Sequence, residues 1–169
     1  TMVKEWLYQL LSPQMVVTRS PKSYNSQIGV PLSVWLLDQH TDVALFEAGI
    51  SQTGEMQALR DIIQPTIGII TSIGQAHQEN FRSIDEKCQE KLLLFHDAKT
   101  VVYNSDDNIV SRSMRKSGYN GQKIAWSKED PKAALYINKV TTKEATTVVE
   151  YTFNSTVNAT YNLPFKDEA

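Results

Sequence analysis

The chain has 169 residues, a net charge of −2 and an isoelectric point near 5.9, which give no electrostatic reason to expect nucleic acid or an anionic membrane as a partner. It is 41% apolar and 21% charged, enough for an ordinary domain with a core, and seven Gly with six Pro exclude collagen-like or linker composition. No apolar run approaches the ~20 residues of a membrane span, the first residues lack a signal peptide's pattern, and a lone Cys88 excludes a disulfide framework or a multi-Cys zinc site. The expectation is a soluble, cytoplasmic domain.

Val3, Leu7, Leu10 and Leu11 share a helical face that Pro13 ends. Met15 to Thr18 reads as a short buried strand, and Pro31 as the first residue of a helix running toward Gln39. Val43 to Phe46 is a second strand, ending at Glu47-Ala48-Gly49. Met56, Leu59, Ile62 and Ile63 place a helix over Glu55 to Ile63, and Thr66 to Ser72 is a third strand, apolar nearly throughout.

Ser83 and Glu86 form a capping box for a helix whose face carries Ile84, Cys88, Lys91, Leu92 and Phe95. Thr100 to Asn104 is a fourth strand, Asp107 to Lys116 a helix, and Lys123 to Trp126 a fifth strand. After Pro131 the pattern becomes β-branched, aromatic and alternating over Leu135–Val140, Thr146–Phe153 and Ala159–Leu163. The expected fold is α/β: a doubly wound, mostly parallel sheet over residues 1–130, with an antiparallel meander over 131–169.

Ligands of open parallel sheets bind at the carboxyl ends of the strands. Three places meet that rule: the loop Ser20 to Gln27, Glu47 on its Gly-bearing turn, and His77 after the third strand. Glu47 suits Mg²⁺, whereas His77 alone carries little weight. Lys91 shares its face with apolar residues, so its stem is expected to be buried, which lowers a lysine pKa; a lysine whose ammonium snorkels to water is the common alternative. Cys88 is by default a core residue, and Asn104 to Asp107 a turn capping the next helix.

Taken in order, these segments resemble the central ATP-binding domain of the Mur ligases. Ser20-Pro-Lys-Ser-Tyr-Asn25-Ser-Gln-Ile-Gly29-Val-Pro31 is similar to the Asn-rich loop and helix start of the member that adds D-Ala-D-Ala, most of all in its form fused to an alanine racemase. Phe46-Glu47-Ala48-Gly49 is similar to the family's "E-M-G" stretch, and Ile73-Gly74-Gln75-Ala76-His77-Gln78-Glu79-Asn-Phe81 to its "IG-AHLE-F" stretch. Lys91 follows His77 by fourteen residues, where the family carries a carbamylated lysine. The family's Gly-rich phosphate loop stands immediately before the residue matching Thr1, so the chain is expected to be a fragment that lacks the loop and the C-terminal domain, inactive by itself.

The resemblance implies an ADP-forming ligase that joins D-Ala-D-Ala to UDP-N-acetylmuramoyl-tripeptide through an acyl phosphate, with ATP as substrate and two Mg²⁺ ions. By the family pattern Thr1 and Glu47 serve one Mg²⁺, and His77 with carbamylated Lys91 the other; Lys91 and His77 are the candidate catalytic residues. Thr1 and Asn104 are the candidate nucleotide-binding residues, and Ser23 and Asn25 the substrate-binding ones. Lys22, Ser26 and Leu93 depart from the family's usual residues. Rival readings are another Mur-type ligase, diaminopimelate-adding or folylpolyglutamate-type, and a non-catalytic interaction module on the same fold.

Overall fold

The computed structural model describes residues 1–164. Its contacts gather into two compact units: Thr1–Pro65 with Gln75–Asp97, and Thr66–Gly74 with the chain from Ala98 onward.

The first unit contains α1 (Met2–Leu11), β1 (Val17–Arg19), α2 (Gly29–Val34), β2 (Val43–Leu45), α3 (Glu55–Ile63), a 3₁₀ turn (Gln78–Asn80) and α4 (Ile84–Leu93). β1 and β2 pair in parallel, Val17 opposite Val43 and Arg19 opposite Leu45. Val30, Ile50, Met56, Leu59, Phe81 and Leu94 form the core, with Val34, Ala48, Ile63 and Phe95 packed against it. These residues come from α2, the loop after β2, α3, the turn before α4 and the turn after it, so the core joins segments distant in sequence.

Several helix ends follow local chemistry. α3 stops where Gln64 turns left-handed, its N–H bonded to Arg60 O at 2.8 Å, just before Pro65. α4 starts at Ser83, whose Oγ accepts from Glu86 N–H at 3.1 Å. The Glu86 carboxylate reaches back to Arg82 N–H at 2.6 Å, so the capping box closes one residue earlier than its usual form.

Two helices differ from expectation. α2 begins two residues before Pro31, at Gly29, whose N–H donates to Ser26 Oγ at 3.1 Å in the turn that leads into the helix. Pro31 is tolerated because N–H groups of a first turn lack helical partners in any case. In α1 the one buried residue is Lys4, while Leu10 is 50% exposed. Lys4 is accommodated by acceptors from a distant loop, which apolar periodicity cannot anticipate.

The second unit is a six-stranded sheet in the order β3–β4–β5–β6–β7–β8. Its strands are β3 (Ile67–Ile70), β4 (Thr100–Asn104), β5 (Gln122–Ser127), β6 (Leu135–Thr142), β7 (Thr147–Phe153) and β8 (Val157–Leu163), with α5 (Asn108–Lys116) after β4. β3 to β6 pair in parallel and β6 to β8 antiparallel. α5 packs on β4, burying Val110 and Met114, and Asp107 caps it by accepting from Ile109 and Val110 N–H. The architecture is α/β with mostly parallel pairing, in a two-stranded sheet and a six-stranded sheet.

Candidate functional site

Parallel pairing places the C-terminal ends of β1 and β2 side by side, and Ser20 N–H extends the ladder to Leu45 O at 3.0 Å. The loops after the two strands therefore leave from one edge. They join directly: Asn25 Nδ2 donates to Glu47 Oε1 at 2.9 Å, and Gly49 N–H donates to Asn25 O at 2.7 Å. A Cβ at Gly49 would stand 3.1 Å from Asn25 Cγ, tighter than an ordinary contact, so a larger residue there would push on the Asn25 side chain.

Thr1 completes this junction. Its Oγ1 lies 3.3 Å from Ser23 Oγ, and its amino nitrogen 3.0 Å from Glu47 Oε2. That oxygen is buried and has no well-aligned hydrogen bond of its own. Burial pushes the Glu47 carboxyl up, but contacts with Thr1 and Asn25 outweigh it and hold the group below the usual glutamate range.

Lys4 secures the loop from beneath. Its ammonium donates to Ser20 O at 2.6 Å and also to Lys22 O, and it lies 3.3 Å from Glu5 Oε1. Glu5 pairs with Arg19, whose guanidinium stacks 3.8 Å above the centre of the Tyr8 ring. Burial lowers the Lys4 pKa, partly offset by Glu47 and reinforced by Arg19.

The same unit carries His77 and Lys91. His77 is exposed and left-handed, with φ 58°, at the entrance to the 3₁₀ turn. Lys91 is half-buried in the last turn of α4. Burial pushes its ammonium below the usual lysine range, and the charge of Lys87 one turn earlier pushes the same way, against weaker opposition from Cys88 and Glu47. Cys88 is fully buried. α4 reaches the neighbouring loop through Glu90, whose carboxylate accepts from Gly54 N–H at 2.7 Å.

The structure thus brings together Thr1, Ser23, Asn25 and Glu47 by direct contacts. His77 and Lys91 lie in the same unit, and among the described residues no three of His, Cys, Asp and Glu gather as a ready metal-holding group. Asn104 belongs to the other unit, where its Oδ1 accepts from Asp106 N–H at 2.9 Å in a local turn. Lys4, Lys87 and Glu90 escape the sequence reading. Lys4 falls three residues before Leu7, and Lys87 three after Ile84 and four before Lys91, so both lysines sit on the apolar faces of their helices, where a cation is conspicuous.

The chain is similar to several known proteins. The UDP-N-acetylmuramoyl-tripeptide–D-alanyl-D-alanine ligase of Borreliella burgdorferi is 38% identical over 91 residues, 54% of this chain and 20% of the relative. The enzyme of that name from Synechocystis is 30% identical over 135 residues, 76% of this chain and 29% of the relative. The chain therefore spans less than a third of the length of either. Among solved structures, MurF from Acinetobacter baumannii superimposes with a TM-score of 0.85 at 20% identity, over 99% of this chain and 37% of that one. MurF from Thermotoga maritima, in complex with ADP, gives 0.79 at 22% identity, over 94% of this chain and 36% of that one. Those two likenesses show the fold. The family model described as "Mur ligase middle domain" matches residues 1–166, and the chain belongs to the Mur ligase family as its middle domain.

Proposed function

We propose that this chain is the central part of a cytoplasmic, ATP-dependent ligase that joins D-Ala-D-Ala to UDP-N-acetylmuramoyl-tripeptide, a step in peptidoglycan precursor synthesis. The observation that carries the reading is the junction of Asn25 with Glu47, beside Ser23 and the Thr1 hydroxyl, which ties a polar loop to a carboxylate at a strand end. Relatives bearing that enzyme's name support the choice of substrates, and no described helix is long and apolar enough to cross a membrane.

In this reaction the tripeptide carboxylate oxygen attacks the γ-phosphorus of ATP, and the bond to ADP breaks. The D-Ala-D-Ala amine then attacks the acyl carbon, phosphate leaves with the bonding electrons, and the nitrogen loses a proton. Both steps gather negative charge on oxygen.

The Thr1 hydroxyl and Glu47 carboxylate are hard oxygen donors, and the buried Glu47 Oε2 without a well-aligned hydrogen bond fits a Mg²⁺ there. His77 and a carbamylated Lys91 would hold a second Mg²⁺. When bound, the two ions neutralise charge on the transferring phosphoryl group. Asn25 holds Glu47 in place through its amide, and Ser23 presents its hydroxyl beside Thr1. Ser23 and Asn25 are the substrate-side residues of this reading, and Asn104 serves the nucleotide.

Lys91 fits the carbamate role because CO₂ adds only to a neutral amine, and burial favours that form. The new N–C bond forms as the amine loses a proton, leaving an anionic oxygen pair.

The test is phosphate release from ATP by the full-length protein that carries this chain, with UDP-N-acetylmuramoyl-tripeptide and D-Ala-D-Ala. Turnover that needs both substrates, and falls at least a hundredfold in Lys91→Ala, is expected. A well-folded protein without turnover would favour the non-catalytic module.

A further inference from the structure

Two buried lysines in the first unit lie outside the residues assigned to the reaction: Lys4 and Lys87. Lys87 is the more unusual, because it sits in the first turn of α4 and is only 2% exposed. A cation buried so fully is retained only where polar groups answer it. Its ammonium donates to the carbonyl of Ala76, the residue immediately before His77, and lies 5.8 Å from the centre of the Phe81 ring. It therefore spans the loop between Ala76 and Phe81.

That loop is strained where it matters. His77 carries φ 58° and ψ 24°, a conformation that costs a residue with a side chain and persists when its surroundings over-determine it. The surroundings are specific. Gln78 N–H donates to Gln75 O at 3.0 Å, Asn80 N–H to His77 O at 3.2 Å, and Phe81 N–H to Gln78 O at 3.1 Å. Asn80 Nδ2 ties the turn to Ser51 O at 2.9 Å. The Ala76 carbonyl, on the near side of the strained residue, is taken by Lys87. A cationic donor holds a carbonyl more firmly than a neutral one.

We propose that Lys87 is a positioning residue for His77: its buried ammonium grips the Ala76 carbonyl and holds the peptide that enters the left-handed turn. This inference rests on the reading of His77 as part of the reaction site. Lys87 itself touches no reacting group; it acts through the backbone that carries His77. Leucine or methionine would fill the same space in α4 but could not hold that carbonyl.

The experiment compares Lys87→Met, Lys87→Arg and His77→Ala in the full-length protein, by steady-state kinetics and by amide hydrogen exchange. Lys87→Met should lower kcat at least tenfold, leave KM for ATP within threefold, and speed exchange over residues 75–81 at least tenfold while 88–95 keeps its protection. Lys87→Arg should restore most of both effects. Wild-type exchange over 75–81 in Lys87→Met overturns the proposal. So does a loss of protection spread evenly over the unit that Lys87→Arg does not repair, since the lysine is then only structural. A fully active His77→Ala overturns the reading of His77 instead, whatever the exchange over 75–81 shows.

Discussion

Gly49 and Asn25 meet across an intervening helix and strand, α2 and β2, the Gly49 N–H bonded to Asn25 O at 2.7 Å and a Gly49 Cβ left only 3.1 Å from the Asn25 side chain. The contact seals the edge on which Glu47 sits, and it makes the two residues interdependent.

Gly49→Ala should cost about 1 kcal/mol, because the new Cβ stands 3.1 Å from Asn25 Cγ and that side chain must give by a few tenths of an ångström. Asn25→Ala should cost about 1.5–3 kcal/mol by removing a hydrogen bond to a charged acceptor. The double variant should lose less than the sum, since the shortened side chain at position 25 no longer has the atom that the new methyl group at position 49 would strike. Urea unfolding of the four proteins measures this coupling, and strict additivity would refute the contact.

Glu47 sets an acid limb. Its folded pKa lies below its unfolded value of ~4.3, so its stabilisation is present above that pH and is lost as the pH falls through the folded pKa. Glu47→Gln should therefore unfold at lower urea than wild type at pH 7, and the two midpoints should converge toward pH 3. Equal separation at both pH values would count against the assignment.

Lys91 has the opposite linkage. Its folded pKa lies below the ordinary ~10.4, so the folded chain binds fewer protons than the unfolded chain between those two values, and stability rises with pH across that window. Lys91→Met should raise the unfolding midpoint at pH 7, with the gain shrinking as the pH approaches ~10.4. In ¹³C-bicarbonate, wild type should show a carbamate carbon resonance that Lys91→Met lacks.

Lys4→Met leaves the carbonyls of Ser20 and Lys22 without their ammonium donor, at a cost of about 1–3 kcal/mol. Amide exchange over residues 20–25 should accelerate. The 3₁₀ turn at Gln78–Asn80, which Lys4 does not bond, should keep its rate, and loosening of both segments together would argue against a local clamp.

Legibility in the sequence followed the range of the interaction. α3 over Glu55–Ile63 and β4 over Thr100–Asn104 were readable to the residue, because their boundaries rest on periodicity, Pro65 and an Asp107 cap a few positions away. The start of α2 was not, because a turn closed by the Ser26 hydroxyl leads into the helix ahead of Pro31. In the site, Glu47 and the Ser20–Gln27 loop could be placed on one edge from the strand-end rule alone. The lysines could not: Lys4 is buried because Ser20 and Lys22 offer carbonyls, and Lys87 because Ala76 does. No local pattern records those distant acceptors, although a lysine on an apolar face was there to be noticed.

One helix, α4, holds two separate loops by their backbones, Gly54 N–H through Glu90 and Ala76 O through Lys87. A third strap, from Asn80 to Ser51, links the same loops to each other. The three ties close a triangle, so the Ser51–Gly54 loop, the turn that bears His77 and α4 are each held at two points rather than one, as struts brace the legs of a tripod.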